Sequence, residues 1–145
     1  MKISTNLTIF GGTGDLTFRK LLPALYTMDI TGKLPQDSRI TIIGRRDYDS
    51  SRYRQIARDW VEKFTRLSFE EHTFGCFAEK IDYYRMDFSD LGQYQGLNEY
   101  YRKNDILSHI FYFAVAPRFF KAITEGLKLV RGSASGKVIL EKPFG

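Results

Sequence analysis

Seven residues near the amino terminus carry the most chemistry: Gly11-Gly12-Thr13-Gly14-Asp15-Leu16-Thr17. They follow a short β-branched run, residues 5–10 (TNLTIF), and precede a segment with helical spacing. A parallel strand feeding a helix through such a turn points the helix N-terminus, with its unpaired N–H groups and positive dipole end, above the sheet edge. Glycines at 11, 12 and 14 are expected because a side chain there would hold a diphosphate away from those N–H groups. Gly14 and the small Thr17 are further expected to let the helix pack close to the strand. No Gly-Lys-Ser/Thr follows, so the turn is not a kinase-type phosphate loop. A tight βα turn with no ligand is the plainer alternative.

A second group lies at the end of the next β-like run, residues 39–44 (RITIIG), which closes in Gly44-Arg45-Arg46. NAD binders place an acid at this position to hold the ribose hydroxyls. A guanidinium here instead suits a 2′-phosphate, through charge-assisted and often bidentate bonds. NADP is therefore favoured over NAD, although Asp47 and Asp49 leave an acid-on-ribose arrangement open, as does a solvated loop for Arg45 and Arg46.

The elements that must position these groups follow from periodicity. Leu16, Leu21, Leu22, Leu25 and Met28 recur at helical spacing, and Gly32 supplies a stop. Ser50 and Ser51 are placed to cap a helix whose apolar stripe is Ile56, Trp60, Val61 and Phe64. Residues 68–80 read as a short helix and a loop. Strand character returns over 81–88, helix over 91–103, and strand over 108–115 (SHIFYFAV). Pro117 suits the first turn of a helix running to about Val130, and 137–140 (KVIL) is the last strand. Alternating strands and helices imply right-handed crossovers and a parallel sheet covered on both faces. The fold class is α/β, a doubly wound Rossmann-like dinucleotide-binding domain over 1–145.

Composition narrows the function classes. The chain has 145 residues, 43% hydrophobic and 27% charged, ordinary for a globular domain. Its longest apolar run, 110–116, is too short to span a bilayer, and the amino terminus lacks a secretory pattern. The single cysteine, Cys76, permits no internal disulfide and is expected to be structural in a reducing cytoplasm. The net charge of +5 gathers at Arg45, Arg46, Arg52, Arg54 and Arg58. Without interleaved aromatics or a recognisable module, that stretch is a solvated face or a site for phosphorylated small molecules, and nucleic acid is not an expected partner. No metal site is expected.

GGTGDL at 11–16, IIGRRD at 42–47, IFYFAVAP at 110–117 and EKPFG at 141–145 together resemble the glucose-6-phosphate dehydrogenase family, in order and spacing along the whole chain. What they resemble is the N-terminal coenzyme domain, under a third of a full-length member. The resemblance implies that residues Gly11, Gly12, Thr13, Gly14, Asp15 and Leu16 bind the NADP diphosphate. It implies that Arg45, with Arg46 as second choice, reads the 2′-phosphate, and that Tyr112 lines the coenzyme site. It also implies that Lys142 touches both substrate and nicotinamide ribose, and that Pro143 follows a cis bond. Members oxidise glucose 6-phosphate with NADP to the lactone, in the cytoplasm, and oligomerise mainly through the second domain. Their catalytic histidine belongs to a later segment, so no catalytic residue is expected here, and His72 and His109 are read as structural. One departure is Ala116-Pro117, where many members carry two prolines. Two other classes remain: a stand-alone nucleotide-binding or regulatory module, and an atypical short-chain reductase. The reductase class expects Tyr-x-x-x-Lys, and no tyrosine here has lysine four residues on.

Overall fold

The computed structural model describes residues 5–106 and 108–140. Five strands form one sheet: β1 (Asn6–Phe10), β2 (Arg39–Gly44), β3 (Ile81–Arg85), β4 (His109–Phe113) and β5 (Lys137–Leu140). Their order is β3-β2-β1-β4-β5 and every pairing is parallel. β1 is thus central, and the order reverses direction between β1 and β4. That switch point is where a doubly wound sheet opens a crevice at its carboxyl edge.

Central strands with no solvent face must satisfy their polar side chains internally. Asn6, Thr8 and Thr41 are buried and do so together. Asn6 Nδ2 donates to Thr8 Oγ1 at 3.0 Å, Thr41 Oγ1 donates to Asn6 Oδ1 at 3.0 Å, and Thr8 Oγ1 lies 2.6 Å from the Tyr101 hydroxyl.

The first helix begins at residue 15, passes through a π-helical turn (Thr17–Leu21) and continues as α1 (Leu22–Ile30). Gly32, at φ +74°, follows it, as the stop signal requires. Met28, expected on the apolar stripe, is 37% exposed, although it lines an apolar cavity together with Leu21 and Leu25. The cap of α2 (Ser50–Phe64) is Asp49, whose carboxylate accepts from Arg52 N at 2.7 Å. Ser50 is not the cap: its hydroxyl accepts from Tyr83 N across the interface with β3. The buried face of α2 is Tyr53, Ala57 and Val61, flanked by Ile56 and Trp60.

Residues 68–80 contain α3 (Glu71–Ala78), followed on the sheet's other side by α4 (Tyr94–Lys103) and α5 (Phe120–Leu127). One core packs α1, α2 and α3 against Ile9, Ile40, Ile42 and Ile81; the other packs α4 and α5 against Phe10, Ile43, Phe111 and Phe113. A 3-10 turn (Pro117–Phe119) precedes α5, which ends three residues short of Val130. Ala116 has φ −61° and ψ 145°, the geometry proline itself adopts. A proline would therefore fit at 116 without strain. Cys76 is exposed rather than buried, and its Sγ lies 3.9 Å from His72 Nε2, one helical turn away. Among the described residues no helix is long and apolar enough to cross a membrane.

Candidate functional site

The turn after β1 is built by its neighbours. Gly11 has φ +87°, and a Cβ there would collide with the Ala114 carbonyl at the end of β4. A Cβ on Gly12 would collide with Ile42 Cγ2 on β2. The strands on either side therefore already dictate these two glycines. Gly14 is different: it is exposed, and a Cβ would meet only the Gly11 carbonyl, at 3.3 Å. It does not pack the helix on the strand. Thr17 does, buried and donating from Oγ1 to the Gly11 carbonyl at 3.0 Å.

Counting donors shows what the turn has left. Gly12 N donates to Ile43 O, Gly14 N to Gly11 O and Phe18 N to Gly14 O. The N–H groups of Thr13, Asp15 and Leu16 donate to no described residue. The orphan donors around this helix start, Thr13, Asp15 and Leu16 among them, line a cradle open to an oxyanion. Asp15 is exposed and its carboxylate turns to Arg19, 3.4 Å away. Leu16 is half-buried, and the Thr13 methyl lies against Gly44 at the end of β2.

Arg45 leaves β2 beside this cradle. The structure sorts the five clustered arginines into two sets. Arg54 binds Asp82 Oδ1 at 3.2 Å and the Ile81 carbonyl, and Arg58 pairs with Asp59, Glu62 and Glu71. The guanidinium groups of Arg45, Arg46 and Arg52 form no ion pair with a described residue. The acids that could have held a ribose are engaged: Asp49 caps α2, and Asp47 lies 3.5 Å from Arg85. Arg45 lines an open cleft of about 340 Å³ with Arg85, Met86, Asp87 and Gln93. Hydrogen bonds from the Ser89 hydroxyl and amide hold the Asp87 carboxyl below its ordinary value, and the Arg45 charge adds to them.

Both turns are tied to tyrosines that sequence reasoning missed. The Tyr53 hydroxyl donates to the Gly12 carbonyl at 2.6 Å, and the Tyr83 hydroxyl donates to the Arg46 carbonyl at 2.8 Å. Burial raises the Tyr53 phenol well above its ordinary value and pushes Tyr83 up to about 12, so both stay protonated donors. The available signal was the four-residue spacing of Tyr53, Ala57 and Val61.

Tyr112 sits on β4, across β1 from Arg45, in register with Ile9. It is half-buried and lines an apolar cavity of about 450 Å³ with Leu7, Ile9, Leu21 and Leu25. Thr5, Ser38 and Arg39 also line this cavity, which carries it toward the amino ends of β1 and β2 and away from the cradle. Lys142 and Pro143 lie outside the described residues. His109 is buried at the opening of β4, as a structural histidine would be, while His72 is exposed on α3.

A parallel sheet of this order, with an oxyanion cradle after the central strand and a free arginine after its neighbour, is a doubly wound dinucleotide-binding domain. Residues 8–145 match the family model described as "Glucose-6-phosphate dehydrogenase, NAD binding domain", and the chain belongs to that family. It is 34% identical over 152 residues to the glucose-6-phosphate 1-dehydrogenase of Leuconostoc mesenteroides, covering 99% of this chain and 31% of that protein. It is 36% identical over 143 residues to that of Gluconobacter oxydans, covering 94% and 29%. The crystal structure of the Mycobacterium avium enzyme superposes with a TM-score of 0.82 at 30% identity, over 98% of this chain and 30% of that one. A glucose-6-phosphate dehydrogenase in complex with glucose 6-phosphate shares the fold at a TM-score of 0.75 and 24% identity. The chain thus spans about a third of the length of the relatives it matches.

Proposed function

We propose that the chain is the coenzyme-binding part of an NADP-dependent glucose-6-phosphate dehydrogenase acting in the cytoplasm. The observation that carries this is the conjunction of orphan N–H groups at Thr13, Asp15 and Leu16 with Arg45, which forms no ion pair with a described residue, one strand away. The N–H groups hold the diphosphate, Gly11, Gly12 and Gly14 shape the turn, and Arg45, seconded by Arg46, pairs with the 2′-phosphate. On this reading Tyr112 on β4 would line the coenzyme site beyond the switch point, and Lys142 would orient sugar and nicotinamide ribose at the junction with a second domain. When bound, NADP supplies the acceptor for the hydride leaving C1 of the sugar as a base takes the hydroxyl proton. That base, the sugar-phosphate pocket and the main oligomer contacts belong to the second domain.

Calorimetric titration of wild type and Arg45→Ala with NADP and NAD tests this reading. Losing a charge-assisted contact is expected to weaken NADP by about 1.5–3 kcal/mol, roughly ten- to a hundredfold, and to leave NAD nearly unchanged. Glucose 6-phosphate added to the same NADP solution should give no rise in NADPH absorbance, since positioning and general-base catalysis are both missing. Equal weakening for both coenzymes, or robust turnover, contradicts the reading.

A further inference from the structure

The two turns that would hold the coenzyme follow different strands, yet they meet in space at Thr13 and Gly44, where Tyr83 of β3 joins them. A Cβ on Gly44 would lie 2.8 Å from the Tyr83 hydroxyl and 3.0 Å from Thr13 Cγ2. Tyr83, Gly44 and Thr13 thus converge where the arginine turn leaves β2 and the glycine turn leaves β1. Tyr53 lies behind them, fully buried, its ring stacked on that of Tyr83 at 5.3 Å and 21°. Tyr48, in the arginine turn itself, closes the group with its ring 5.7 Å from Tyr83.

The hydroxyls divide between the turns. Tyr53 reaches from α2 to the Gly12 carbonyl, and Tyr83 reaches from β3 to the Arg46 carbonyl. A surface turn carrying two free arginines has few restraints of its own. Here, besides the Tyr83 bond, Tyr48 N donates to Arg46 O, Met86 N donates to Gly44 O, and Arg85 reaches Arg45 O at 3.2 Å and the exposed Asp47 carboxylate at 3.5 Å.

We infer that Tyr53 and Tyr83 are positioning residues for two different halves of the coenzyme: Tyr53 fixes the turn for the diphosphate, and Tyr83 fixes the arginine turn for the 2′-phosphate and so sets discrimination between NADP and NAD. The inference rests on the NADP reading. A guanidinium held in place binds its anion without first losing loop freedom, and that saving applies only to the coenzyme with a 2′-phosphate. A fixed diphosphate turn serves both coenzymes alike.

The test is to titrate NADP and NAD into wild type, Tyr83→Phe, Tyr53→Phe and Ser50→Ala, with thermal unfolding of each. Tyr83→Phe is expected to lower the NADP-to-NAD affinity ratio about three- to tenfold with NAD affinity unchanged, the scale of one hydrogen bond. Tyr53→Phe is expected to weaken both coenzymes by a similar factor and leave the ratio intact. Ser50→Ala removes the acceptor for Tyr83 N but spares its hydroxyl, so it should lower the melting temperature without moving the ratio. A Tyr83→Phe protein that keeps the wild-type ratio, or a Ser50→Ala protein that shifts it as much, overturns the inference. A wild type that fails to prefer NADP overturns instead the reading beneath it.

Discussion

His109 opens β4 with 4% of its surface exposed, and neither ring nitrogen has a hydrogen-bond partner among the described residues. Its ring stacks on Phe111 at 5.1 Å and meets Tyr101 edge-on at 4.6 Å. Burial holds its pKa down at about 4, against an ordinary value of 6.5. The unfolded chain takes up the proton as pH falls through 6.5, while the folded chain resists until about pH 4. Stability present above pH 6.5 is therefore lost progressively across that window. Between pH 7 and pH 5 wild type should lose about 1–2 kcal/mol that His109→Phe does not lose, read from denaturant midpoints at the two pH values. Parallel pH dependence of the two proteins would show that another group governs the acid limb. The same buried ring explains why His109 takes no part in the site, which lies at the opposite, carboxyl end of the strands.

At the scale of elements, the β1 turn separates stability from binding. Gly11 is held at positive φ with the Ala114 carbonyl where a Cβ would stand; a Cβ on exposed Gly14 would meet only the Gly11 carbonyl, at 3.3 Å. Gly11→Ala should cost about 1–3 kcal/mol or more and lower the melting temperature by several degrees. Gly14→Ala should leave melting close to wild type and weaken NADP, because its methyl projects into the cradle. The reverse ranking would mean that Gly14, not Gly11, is the structural glycine. Sequence periodicity located this turn well because a β-branched run, three glycines and a change of period are all local. It did not show the second reason for the glycines, since the atoms that exclude side chains at 11 and 12 belong to Ala114 and Ile42, far along the chain. The cap of α2 was missed for a similar reason: Ser50 is spoken for by β3, which leaves Asp49 to cap.

At the scale of the whole molecule, the sheet order brings together what the sequence held apart. Arg45 was legible because an arginine pair at the end of a second strand is a position with a chemical meaning. The ties at Tyr53 and Tyr83 were not, because their partners lie 41 and 37 residues away. β5, at the sheet edge, leaves Val138, Ile139 and Leu140 44–53% exposed, whereas the cradle and Arg45 lie on the opposite part of the carboxyl edge. The central claim is that NADP enters through the orphan N–H groups and Arg45. The most direct test is amide NMR of the 145-residue chain, titrated with NADP and, in parallel, with NAD. Shifts at Thr13, Asp15 and Leu16 are expected with both coenzymes, and shifts at Arg45 and Arg46 with NADP far more than with NAD. Shifts confined to the apolar cavity beside α1, at Leu21, Leu25 and Met28, or no saturable shifts at the β1 turn, would contradict it.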